Sequence, residues 1–142
     1  MFEKILKFKR KLSLMRKQRY IKKMERKGLR VGRNCDFVSI PDFSSEPYLI
    51  SIGDNTTISF ECVFITHDAA TRVIRNLPNG NKETVIYGPI SIGNNCFITQ
   101  NTSILVHFFD TRRHFYFGNV TIGDNCFIGM NTLICKSVCI GN

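Results

Sequence analysis

The chain repeats itself every six residues from position 31 almost to its last residue. The units read VGRNCD from 31, IGDNTT from 52, ISFECV from 58, IGNNCF from 92, ITQNTS from 98, IGDNCF from 122, IGMNTL from 128 and ICKSVC from 134. An apolar residue opens each unit, Gly or a polar residue usually follows, and a small residue usually takes the fifth place. Helices repeat at 3.6 residues and exposed strands at 2, so neither produces this period. A six-residue unit is instead a short flat strand and a corner. Three units make a triangular coil of about eighteen residues, and such repeats stack into one continuous core. Coils then pile up at the inter-strand spacing of about 4.8 Å, each satisfying its backbone by pairing with the next. We expect the opening residues to stack inside and the small residues to turn the corners. This predicts a mainly β chain, a parallel β-helix of hexapeptide repeats over residues 31–142. The last residues, Ile140-Gly141-Asn142, open a new unit, so we expect the domain to be short at its C-terminus.

The cysteines follow the repeat. Cys35, Cys62, Cys96 and Cys126 all fall in the fifth place, where Thr56, Thr102 and Thr132 stand in other units. We read them as buried small side chains. Cys135 and Cys139 are four apart and no CxxC pair exists, so neither disulfides nor a metal is expected. No apolar run approaches the roughly 20 residues of a membrane span, and the basic N-terminus lacks a secretory signal's apolar core. We expect a cytoplasmic protein, with peripheral attachment at the inner face of the membrane left open.

That attachment would come through residues 1–30. They hold 13 Lys and Arg against 2 Glu, a net of +11, whereas the whole chain is +9, leaving −2 for the rest. Phe2, Ile5, Phe8 or Lys9, Leu12 and Met15 recur at three- to four-residue spacing, Ile21 and Met24 continue the stripe loosely, and Gly28 is a candidate stop. This predicts a basic amphipathic helical arm, as one helix or two. It can pack its stripe on the body or lie on an anionic membrane surface. Nucleic acid is not expected as a partner, since no nucleic-acid motif accompanies the charge.

The repeat is interrupted twice at one place. Fifteen residues after Ile52 stands His67, and fifteen after Ile92 stands His107. Each occupies the fourth place of a third unit, where the chain leaves the coil for a loop, 70–89 or 108–119. The equivalent residue after Ile122 is Ser137, and there the chain runs on. Stacked coils would put both histidines on one edge, about one strand spacing apart.

The segments SSEPYLISIGDNTTIS, FITHDAATRVIRN, GPISIGNNCFI and IGDNCFIGMNTLI resemble the hexapeptide-repeat O-acetyltransferases. The closest branch is the capsule and lipopolysaccharide acetyltransferases, which are similar to maltose and galactoside O-acetyltransferases. The resemblance covers about residues 20–142, and its specific element is Thr66-His67-Asp68 with the following loop and Gly88-Pro89. It implies a left-handed β-helix, a homotrimer, and acetyl transfer from acetyl-CoA to a sugar hydroxyl in surface polysaccharide or lipopolysaccharide synthesis. It implies His67 as general base at a cleft between two subunits, with the donor along the coil edges. Asp68 is a candidate to orient the His67 ring, and His107 is a second candidate base. Gly129 and Met130 are candidates for the donor side, where a small residue lets the pantetheine approach. The chemistry agrees, because a hydroxyl must lose its proton as it attacks a thioester and a neutral imidazole can accept it. Two other readings stand beside it, an N-acyltransferase on an amino sugar or amino acid and a non-catalytic β-helix scaffold.

Overall fold

The computed structural model describes residues 1–67, 71–109 and 115–141. It begins with one helix, α1 (Phe2–Arg26). The helix stops where Gly28 takes φ 97°, a conformation that costs glycine least. The amides of Gly28 and Leu29 turn back to the carbonyls of Glu25 and Met24 at 2.9 and 3.0 Å.

From Arg30 the chain circulates through three sheets. The first circuit contains β1 (Arg30–Val31) and β2 (Asp36–Phe37), and closes with a parallel bridge from Asp42 to Val63. The second contains β3 (Ile50–Ile52), β4 (Thr57–Ile58) and β5 (Val63–Ile65). The third contains β6 (Ile90–Ile92), β7 (Phe97–Ile98) and β8 (Ser103–Leu105). An antiparallel pair follows, β9 (His107–Phe109) and β10 (Phe115–Phe117). The fourth circuit contains β11 (Val120–Ile122), β12 (Phe127–Ile128) and β13 (Leu133–Ile134), and β14 (Val138–Ile140) starts another. The sheets run β1-β3-β6-β11-β14, β2-β4-β7-β12 and β5-β8-β13, all parallel. Because the chain visits them in a fixed cyclic order, the architecture is solenoid-like, as the repeat predicts.

The opening residues of the units stack across coils. Ile52 pairs with Ile92 and Ile92 with Ile122, Ile58 with Ile98 and Ile98 with Ile128, Phe64 with Ile104 and Ile104 with Ile134. All are buried and together form the core. The corners are made differently from expectation. The residues that turn them are those in the fourth place: Asn34, Asn55, Asn95, Asn101, Asn125 and Asn131 have φ of 54–57°. Asparagine tolerates this left-handed region better than most residues. Their amides also link successive coils, with Asn34 Nδ2 donating to Asn55 Oδ1 (3.2 Å), Asn95 to Asn125 (3.2 Å) and Asn101 to Asn131 (2.8 Å). The small fifth-place residues face inward instead. Thr56, Cys62, Cys96 and Thr102 are buried, while Cys35 and Cys126 are partly exposed. Cys35 and Cys96 thiols and the Thr56 hydroxyl donate to carbonyls of Gly53, Gly123 and Gly93, one coil on, at 2.9–3.0 Å. All six cysteines are free thiols. Burial pushes the thiols of Cys35, Cys62 and Cys96 up, which keeps them protonated and unreactive. The second-place glycine allows coils to stack so closely: a Cβ on Gly53 would stand 2.6 Å from the carbonyl carbon of Gly93.

Paired residues lie 21, 40, 30 and 18 positions apart in successive coil pairs (Arg30 with Ser51, Ile50 with Ile90, Ile90 with Val120, Val120 with Val138). The first three offsets persist into the other two sheets wherever both coils have strands there. Only the last is a bare circuit of three hexapeptides. Every excess residue therefore leaves from one corner, between the third sheet and the first. The first detour carries a 3-10 turn (Pro47–Leu49), the second carries α2 (Thr71–Arg75), and the third carries the β9–β10 hairpin.

The arm packs on the first coil through the second half of its helix. Met24 and Leu29 are buried in the core, and Tyr20 stacks at 6.3 Å on Phe43, which lies against Phe37 and Phe64. Lys17 Nζ donates to the carbonyls of Phe37 and Val38 at 2.6 and 3.1 Å. The N-terminal part of the stripe read from the sequence, Phe2, Ile5, Phe8, Leu12 and Met15, stays 39–79% exposed. Ile21 and Met24, its loose continuation, meet the body, whereas those five residues stay exposed.

Candidate functional site

The detour corner collects the polar chemistry. Glu46 lies 21 residues before His67, His107 lies 40 after His67, and Ser137 lies 30 after His107. These are the offsets of the strand register, so the four occupy one place on successive coils. At Ser137 the corner closes on itself with φ 58°. At the other three the chain leaves.

Glu46 stands immediately before the 3-10 turn, with Pro47 fixing the exit, and is buried. It accepts a hydrogen bond from the fully buried Thr66 hydroxyl at 3.0 Å, and a short one joins it to His67 Nδ1. Burial raises the Glu46 pKa, but hydrogen bonds from Ser45, His67 and Thr66 outweigh it, and the carboxyl sits below its ordinary value. It is therefore ionised at neutral pH, and a carboxylate can only accept. His67 Nδ1 must therefore donate to it, and in the neutral ring the acceptor is then Nε2. The His67 side chain is 26% exposed, and its ring lies 5.1 Å from that of Tyr87. An oriented imidazole with part of its side chain open to solvent is, in its neutral form, equipped to take a proton from an incoming hydroxyl.

Thr66 also anchors the detour, since its carbonyl accepts from the Gly88 amide at 3.0 Å, tying exit to return. Gly88 must be small there, because a Cβ would stand 2.2 Å from the Gly118 carbonyl oxygen. His107 begins β9, pairs with Phe117 and is buried, so it presents far less of its ring to solvent than His67. Asp68 lies outside the described residues. Gly129 and Met130 lie at another corner, between β12 and β13, where Met130 is 67% exposed and a Cβ on Gly129 would meet nothing nearer than Thr132 Oγ1 at 4.0 Å. The fold does not bring that pair to the His67 corner within one chain.

Six residues escaped the sequence reading. Glu46 falls outside every hexapeptide, and only the offset of 21 between the first coils places it on His67. Tyr87 flanks the return of the same detour. Arg72, Arg75 and Lys82, with Asn76, line a groove of about 470 Å³ on that detour, and among the described residues Arg75 Nε is buried without a hydrogen-bond partner. Grooves of about 440 and 560 Å³ border α1 and are lined by the arm and the first two coils, away from His67. Among the described residues no cluster of His, Cys, Asp and Glu is placed to hold a metal, and no helix is long and apolar enough to cross a membrane.

Comparison with curated proteins finds Protein CapG of Staphylococcus aureus, 38% identical over 96 residues, which are 66% of this chain and 54% of that protein. The chain thus spans about half the length of this relative. No family model matches the chain, and no solved structure does.

Proposed function

We propose that this chain is an acetyl-CoA-dependent O-acetyltransferase acting on a sugar hydroxyl in surface polysaccharide or lipopolysaccharide synthesis. The observation that carries the reading is the Glu46–His67 pair at the detour corner, with Nδ1 engaged and the ring partly exposed beside Tyr87. In this reading the coil is left-handed and His67 is the general base. Nε2 takes the hydroxyl proton as the oxygen attacks the thioester carbonyl. The developing oxyanion meets backbone N–H groups at the coil edge. Collapse of the tetrahedral intermediate breaks the C–S bond, and the imidazolium returns its proton to the departing thiolate. Glu46 steadies the imidazolium while it exists. The basic groove of Arg72, Arg75 and Lys82 suits the phosphates of the donor.

Support for the substrate class comes from the resemblance of Thr66-His67-Asp68 and Gly88-Pro89 to capsule and lipopolysaccharide acetyltransferases, and from the likeness to Protein CapG. The test is acetyl transfer measured over a panel of sugars and amino sugars. His67→Ala should lower turnover about a hundredfold to ten-thousandfold, and His107→Ala much less. A large loss only at His107 would move the site to the third coil. Preference for amines would favour N-acyl transfer, and a parent protein that binds no coenzyme would favour a scaffold.

A further inference from the structure

The arm has two faces, and only one is used. Lys17, Tyr20 and Met24 face the first coil. On the other side a second stripe runs the length of the helix at alternating spacings of three and four, which keeps it on one face. It begins with Ile5, Phe8, Leu12 and Met15, all exposed, with Phe8 67% so. It continues with Arg19, Lys22 and Arg26, also exposed. One face thus passes from apolar to cationic over a helix about 37 Å long. Lys4, Lys9, Lys11 and Arg16 flank the apolar half. The remainder of the chain carries −2 against the +11 of residues 1–30, so the body does not neutralise the arm.

We propose that this outward face of α1 docks on an anionic lipid surface, with Ile5, Phe8, Leu12 and Met15 entering the headgroup boundary and Arg19, Lys22 and Arg26 meeting lipid phosphates. The charge selects the occupant. A second copy of the chain would bring like charges together, and a neutral apolar partner would leave the flanking cations unpaired. An interfacial helix needs this pairing of apolar anchors with surrounding lysine and arginine. This face is the one a flat surface can reach while the Tyr20 and Met24 contacts stay intact, with Leu12 and Lys22 at its margins, where they also line the grooves between α1 and the first coils. The proposal is independent of the catalytic reading.

Co-sedimentation of the full chain with two kinds of vesicle tests it: phosphatidylcholine alone, and an equal mixture of phosphatidylcholine and phosphatidylglycerol. Binding should require phosphatidylglycerol and fade with salt, since attraction between surface charges is screened over about 8 Å at physiological ionic strength. The variant Arg19→Gln/Lys22→Gln/Arg26→Gln should weaken binding by about a hundredfold, at about fivefold for each cation removed. Phe8→Ser/Leu12→Ser should weaken it by at least about tenfold. Every changed residue is exposed, and thermal melting verifies that each variant folds. Should the apolar variant fail to fold, the charge variant alone decides. Three results would overturn the proposal: no binding to the mixed vesicles at low salt, equal binding to both vesicle types, or a drop in mass by sedimentation for Phe8→Ser/Leu12→Ser, which marks the stripe as a contact between copies. Tight duplex DNA binding by the parent, lost in the charge variant while vesicles are ignored, would assign the cations to nucleic acid instead.

Discussion

Asn95 shows how a single residue serves both the corner and the stack. Its φ of 55° suits asparagine, and its amide donates to Asn125 on the next coil. Both Asn95→Ala and Asn95→Gly lose that bond, but alanine also pays about 1–2 kcal/mol for the left-handed conformation. Urea unfolding should therefore rank the glycine variant above the alanine variant, and equal losses would deny the corner its conformational role. Glu46 makes a different prediction. Its folded pKa lies below the ordinary value of 4.5, so its contribution to stability is complete above that value and disappears as pH falls through the lower folded one. The gap in melting temperature between the parent and Glu46→Gln should be open at neutral pH and close in acid. A gap that ignores pH would mean that the carboxylate's charge is not what stabilises this corner. His67 faces the same carboxylate, so Glu46→Gln should also depress acetyl transfer.

At the scale of the element, α1 acts as a lid on the first coil through its second half. Met24→Ala should cost about 2–5 kcal/mol in urea unfolding, whereas Phe8→Ser should leave stability within about 0.5 kcal/mol of the parent. A large loss from Phe8→Ser would place the stripe in a packed interior. The contrast shows what was readable beforehand. The helix followed from apolar spacings of three and four and the strands from the six-residue repeat, because each residue's inward or outward fate recurs at the period of its element. The packed face of α1 was legible only in Ile21 and Met24, since two stripes compete on the helix and the richer one, Phe2 to Met15, stays exposed. The corners were misassigned for a related reason. Small residues look suited to turning, yet the fourth-place asparagines have the backbone freedom and the fifth-place thiols and hydroxyls have inward carbonyls to meet. His67 was legible as the residue at which the pattern breaks. Glu46 was not, because its partner is set by an offset between coils and not by neighbours in the chain.

For the whole molecule, the separation of Gly129 and Met130 from the His67 corner gains meaning beside the exposed apolar groups around them. Phe97 and Phe127 form an outward ladder with ring centroids 5.9 Å apart, and Phe127, Met130 and Leu133 are each more than 60% exposed. Single proteins seldom leave such groups together in water. The homotrimer that the resemblance implies would cover them if it set that edge of one copy against the detours of another, around a closed ring. Sedimentation of the parent should show three copies. Phe127→Glu/Leu133→Glu should give folded monomers without transferase activity, and a folded parent monomer at micromolar concentration would remove the shared cleft. The corner from which every detour departs has a last consequence. The circuit from Val120 to Val138 shows that the frame closes in eighteen residues with nothing inserted, while its siblings carry a turn, a helix and a hairpin at that vertex without disturbing a single stacked isoleucine. Variation is thereby confined to one seam. The seam can be re-lettered, lengthened or exchanged for another, and the frame that holds it keeps its shape.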